Sequence, residues 1–179
     1  MTRRRTSGKA LDAGLLTLRV AVGATLFAHG AQKLTGWFGG PGLEQTAAGM
    51  QQMGFTPAKL SAVTAGVSEA AGGLIAVGAG TRVASAAGAA AMLAASDVHR
   101  PNGFFAQNGG LELPAVLGVA SAALTLTGPG RYSIDEAIGH RYDHERYGVA
   151  ALAAALVTAA VVLGRRRAAT QAAGDTAQE

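Results

Sequence analysis

Leu60-Ser-Ala-Val-Thr-Ala-Gly-Val-Ser-Glu-Ala-Ala-Gly-Gly-Leu-Ile-Ala-Val-Gly-Ala79, then Gly80-Thr81-Arg82, then Val83-Ala-Ser-Ala-Ala-Gly-Ala-Ala-Ala-Met-Leu-Ala-Ala-Ser-Asp-Val98, sets the architecture of this chain. The first run has the roughly 20 residues that a bilayer crossing requires, and the second sits near the lower limit. The connector Gly80–Arg82 is too short for anything but an antiparallel helical hairpin. Both runs are built from Ala, Gly and Val, which lets membrane helices approach closely.

Three more apolar runs lie outward from this hairpin: Leu11–Ala31 before it, Leu111–Thr127 and Tyr147–Leu163 after it. The chain is therefore expected to be all-α, a polytopic membrane four-helix bundle. An additional C-terminal helix would either cross the bilayer or lie at its interface. The expected organisation is a basic N-terminal tail (1–10), a four-helix membrane domain (11–135) and a charged loop (136–146). A fifth apolar helix (147–163) and an Arg-rich disordered tail (164–179) complete it.

Composition agrees. Of 179 residues, 49% are hydrophobic but only 5% aromatic, and 26 are Gly, a profile suited to packed membrane helices rather than a soluble globule. There is no Cys, which excludes disulfides and thiolate-held iron–sulfur clusters. The net charge of +4 comes from basic runs that flank apolar segments, so it speaks for a bilayer as partner and not for nucleic acid. The run after Thr2-Arg-Arg-Arg-Thr-Ser-Gly-Lys9 is too long for a signal-peptide core and contains Arg19, so it is read as an uncleaved first span.

With each run crossing once, the end of helix one, the start of helix two, the end of helix three and the start of helix four all lie on one side of the membrane. His29, Lys33, Trp37, Asp97, His99, Arg100, Asn102, Asn108 and Glu112 all fall on one side of the membrane. All the Phe and the single Trp lie there too. Putting the N-terminus in the cytoplasm places Arg3, Arg4, Arg5, Lys9, Arg82, Arg131, Arg141 and Arg146 inside, against Lys33, Lys59 and Arg100 outside, as the positive-inside rule favours. A fifth crossing would carry Arg165-Arg-Arg167 to the outer face.

Two features mark candidate chemistry. Arg19 and Glu69 each lie roughly 12–14 Å from the nearer end of their runs, close to mid-bilayer. A charge there normally faces the bundle interior and finds a partner, so an Arg19–Glu69 ion pair is expected, serving helix register or a proton relay. The second feature is the polar connector His99-Arg-Pro-Asn-Gly-Phe-Phe-Ala-Gln-Asn-Gly-Gly-Leu-Glu112. With His29 and Lys33, four apart on one helical face, it brings His99, Arg100, Asn102, Asn108 and Glu112 to one boundary as an acid–base set. Two plainer explanations compete: a solvated rim, and Glu112 favoured by a helix dipole. His140 and His144 have metal-pair spacing without a clear third ligand, so no metal is expected. Haem ligation by His29 and His99 is disfavoured because both sit at helix ends.

His29-Gly-Ala-Gln-Lys33 with Gly36-Trp-Phe-Gly-Gly-Pro-Gly42, then His99–Phe105 with Asn108-Gly-Gly110, then Gly128-Pro-Gly-Arg-Tyr-Ser-Ile-Asp135 together resemble the DoxX family of small bacterial membrane proteins. The likeness covers about Leu15 to Asp135. It implies a four-helix bundle in the bacterial cell membrane and a subunit of a quinone-linked oxidoreductase or redox-stress system. Quinone and soluble redox enzymes are the partners implied, with no covalently bound cofactor. The matching positions are His29, Lys33, Glu69, His99, Arg100, Asn102, Asn108 and Glu112. A quinone head group would sit near His29, His99 and Glu112, with its tail by Phe104 and Phe105. A small-solute or proton-coupled transporter and a membrane scaffold for soluble enzymes are the alternatives. The Ala- and Gly-rich faces also permit a homo-oligomer.

Overall fold

The computed structural model describes residues 3–139 and 144–176. Its helices are α1 (Arg3–Thr35), α2 (Gly42–Gln52), α3 (Ala58–Ala70), α4 (Gly72–Val77), α5 (Thr81–His99), α6 (Glu112–Thr127), α7 (Ile134–Ala137) and α8 (Glu145–Thr176). The chain is an all-α membrane bundle. α1, α5 and α8 run one way through it; α3 with α4, and α6, run back. The end where α1 and α5 finish is called the polar end below.

Close approach of backbones holds the first pair together. A β-carbon on Gly23 would lie 2.5 Å from the Gly72 carbonyl oxygen, and one on Gly30 would collide with Ala70 and Gly66. Only hydrogen at these positions lets α1 lie against α3 and α4 so tightly. Val22, Leu26, Ile75, Ala84, Met92, Leu117 and Leu124 form the buried core between the helices.

The end opposite the polar one is tied by charge. Asp135 accepts hydrogen bonds from Gly80 N (2.8 Å), Thr81 N (3.0 Å) and Thr81 Oγ1 (3.1 Å). It thereby satisfies the free amides at the start of α5. Arg82 donates to the carbonyls of Thr125 (2.9 Å) and Leu126 (2.7 Å), closing the end of α6, where a cation is favoured. The segment Gly128–Asp135 is therefore a structural return that caps the start of α5.

α8 is 32 residues long. Gly148 packs against Arg82 at one end, while Arg166 and Arg167 reach Asp97 at 2.9 and 2.6 Å at the other. The helix thus runs parallel to α5 over the height of the bundle rather than along an interface. It also continues to Thr176, where a disordered tail was expected from residue 164; the alanines from Ala168 onward extend it. By length and apolarity, the spans Gly8–Thr35, Ala58–Val77 and Glu145–Asp175 can cross a membrane, and α6 is a shorter apolar helix. α5 packs among α3, α4, α6 and α8. Facing protein on most sides, it tolerates Thr81, Ser85 and Ser96.

Candidate functional site

A cavity of about 610 Å³ lies among α3, α5 and α8. Alanines from α5 and α8, among them Ala87, Ala90, Ala94, Ala151 and Ala155, form two of its walls. The third, α3, is different. Ser61, Thr64 and Ser68 all line the cavity, spaced so as to share one helical face, and that hydroxyl stripe ends at Glu69.

Glu69 is paired with Lys33, which donates to both carboxylate oxygens. The carboxylate side chain is 2% exposed and the lysine 28%. Both line the cavity. The pair is a fixed dipole set into an otherwise apolar chamber, where low dielectric strengthens any hydrogen bond it offers.

The expected Arg19–Glu69 pair does not form. α1 and the α3–α4 rod are antiparallel, with Gly30 against Ala70 and Gly23 against Gly72 and Ala76. Continuing that register sets Arg19 beside Gly78, and a β-carbon there would indeed strike its guanidinium. Nine residues separate Gly78 from Glu69, roughly 14 Å along the helix. Arg19, fully buried, instead donates to the carbonyl of Tyr132 in the return that carries Asp135. Its Nε and Nη1 have no partner among the described residues.

The acid–base set read at one boundary is divided by the fold. Lys33 and His99 line the cavity together with Glu69. They stand at different depths: the α4–α5 turn sets Glu69 level with about Ala89, so His99 lies ten residues nearer the polar end, roughly 15 Å away. His29 is half-buried on α1 and is not among the lining residues. Arg100, Asn102 and Asn108 are exposed, and Glu112 is half-buried.

Much of the connector serves its own shape. His99 Nδ1 donates to the Gly109 carbonyl (2.8 Å), as does Asn102 Nδ2 (3.1 Å). Glu112 accepts from Ala106 N (3.0 Å). Binding that carbonyl places the proton of a neutral His99 on Nδ1 and leaves Nε2 as the acceptor or base. Phe104 and Phe105 stack edge-to-face at 5.4 Å and are exposed rather than inside the cavity.

Arg166 was not singled out in the sequence. It lines the cavity, donates from Nε to the Met53 carbonyl (2.8 Å) and from Nη1 to Asp97 (2.9 Å), and lies 5.4 Å over the Phe55 ring. Charges 69 positions apart carry no local signal of such a contact. The hydroxyl stripe does carry one, since Ser61, Thr64 and Ser68 precede Glu69 at helical spacing. Among the described residues no group of three His, Cys, Asp or Glu side chains could hold a metal ion. The His140–His144 stretch lies mostly outside the described residues.

Apolar helices bundled around a cavity, with the Lys33–Glu69 pair on its wall, define a multi-pass membrane protein. Residues 14–100 match the family model DoxX, and this stretch of the chain belongs to that family. The match takes in α2 to α5 and most of α1, and leaves α6 and α8 outside it. No curated protein and no solved structure matches the chain.

Proposed function

We propose that the chain is the membrane subunit of an oxidoreductase or redox-stress system, and that its cavity holds the head group of a quinone beside Lys33 and Glu69. The observation that carries this reading is the setting of that pair, a buried dipole opening on an alanine-walled chamber of about 610 Å³. The Lys33 ammonium is placed to donate to a carbonyl oxygen of the head group. Glu69 holds the lysine in position and exchanges a proton with the reduced ring oxygen. His99, with Nε2 free of the loop, passes protons in from the polar end. Ser61, Thr64 and Ser68 supply hydroxyls between the two levels. Reduction takes two electrons and two protons; the chain has no thiol, and the electrons are assigned to a soluble oxidoreductase partner.

This reading moves the head group from the connector at residues 99–112 to the middle of the bundle. It also keeps the N-terminus in the cytoplasm of a bacterial cell, by the count of basic residues. The test is equilibrium binding of a labelled long-chain quinone to protein in lipid nanodiscs. Lys33→Met is expected to weaken binding about tenfold or more, the worth of one charge-assisted hydrogen bond, while exposed Arg100→Ala leaves it unchanged. Equal binding by wild type and Lys33→Met rejects the site.

A further inference from the structure

We propose that this cavity is loaded sideways from the bilayer, through a slot between α3 and α8, and that it admits membrane-dissolved amphiphiles with one slender hydrocarbon chain while excluding water-soluble solutes. The proposal rests on the cavity being a ligand site, as read above, and adds the route and the shape of what enters.

The slot follows from which helices touch. α3 packs on α1, α2 and α5, and α8 packs on α5 and α6, but α3 and α8 share no extended contact. The cavity lies in the resulting wedge with α5 as its floor. Leu60 and Thr64 on α3, and Ala154 and Thr158 on α8, line it and are exposed. In a bilayer, a face between two spans is exposed to lipid, so these four residues are the lips of an opening toward acyl chains.

The polar end is bridged by contrast. Arg166 joins the Met53 carbonyl, Asp97 and the Phe55 ring, and Arg167 adds a second contact to Asp97 at 2.6 Å. Gly54, with a φ of +83°, brings the 53–57 connector against Thr170 and Arg166. Three elements are thus tied across the route that water would take. A solute coming from water would have to break a shared ion pair, whereas one coming from lipid meets only methyl groups and two hydroxyls.

The floor sets the shape of the guest. Val83, Ala87, Ala90, Ala94 and Val98 follow one face of α5, giving a trough about 22 Å long at 1.5 Å per residue. Alanine side chains leave room for a polymethylene or isoprenoid chain along it. The parallel register of α5 and α8 sets Thr158 level with Ala90, and the α4–α5 turn sets both near Glu69. A guest entering at Thr158 therefore brings its head to the ion pair at once.

The chain contains no Cys, so Ala90→Cys supplies a single reporter in the trough. The protein is reconstituted in vesicles and treated with a lipid-soluble maleimide or a charged, membrane-impermeant one. The expected result is labelling by the lipid-soluble reagent at least about tenfold faster, because a charge pays heavily to enter the bilayer. Adding Thr158→Trp, or Thr64→Trp on the other lip should the first fail to fold, cuts that labelling about tenfold. Arg166→Ala speeds the charged reagent. Equal rates for the two reagents with Arg166 intact, or undiminished labelling with a folded Trp variant on the lip, overturns the slot. An excess of long-chain quinone separates the two readings: labelling through the slot that quinone does not protect keeps the slot and rejects the quinone.

Discussion

Lys33 and Glu69 are not equivalent partners, and their difference is measurable. Lys33 retains 28% exposure and can draw its ammonium toward the cavity, whereas Glu69 at 2% cannot move to water. Removing the lysine strands a buried carboxylate, which costs about 3 kcal/mol or more. Removing the charge of Glu69 strands a lysine that has somewhere to go. Lys33→Met is therefore expected to lower the midpoint of thermal unfolding in detergent more than Glu69→Gln. Lys33→Met with Glu69→Leu should recover most of the loss. At the opposite end, Asp135→Ala removes three hydrogen bonds from the start of α5 and is expected to cost about 1–2 kcal/mol, as lost caps do. The same unfolding assay checks it. Arg19 and Glu69 were both legible as intramembrane charges that need partners. Which partners they take was not, because that depends on helix register. Exchanging them, Arg19→Glu with Glu69→Arg, is accordingly expected to leave a protein no more stable than either single variant.

At the scale of elements, the α4–α5 hairpin was legible because three residues connect two apolar runs and permit one arrangement. The extent of α8 was not: its apolar stretch ends near Leu163, and only the contacts of Arg166 and Arg167 with Asp97 show where the next turns go. The glycines of α1 belong here too. Gly30→Leu puts a side chain where Ala70 already stands. It is expected to separate α1 from α3 and open the Lys33–Glu69 pair, and cysteines placed across the α1–α3 contact would then crosslink less readily than in the parent. The polar connector illustrates a different limit. Its residue types suggested a site, yet His99, Asn102 and Glu112 each bond to the connector itself. Composition cannot distinguish side chains that shape a loop from side chains that wait for a ligand.

For the whole molecule, the rods alternate in direction, so the start of α1 and the end of α8 are expected on opposite faces. α1 rises to the polar end, α3 with α4 returns, α5 rises, α6 returns, and α8 rises again. Reporter fusions that are active on only one side of the membrane are expected to give opposite answers at the N- and C-terminus, with the N-terminal one cytoplasmic. The same answer from both would mean that α8 does not cross. The family match covers residues 14–100 and so includes the ion pair and the α5 floor, while one wall of the cavity comes from α8 beyond it. On this account the fifth helix completes a chamber that the matched region builds in part. The most direct test is native mass spectrometry of the protein gently extracted from its own membranes, wild type beside Ala90→Phe, which fills the trough at the level of Glu69. The account predicts a bound quinone on the wild type and its absence from a folded Ala90→Phe protein. A wild type that carries no quinone, or an Ala90→Phe protein that carries as much, would contradict it.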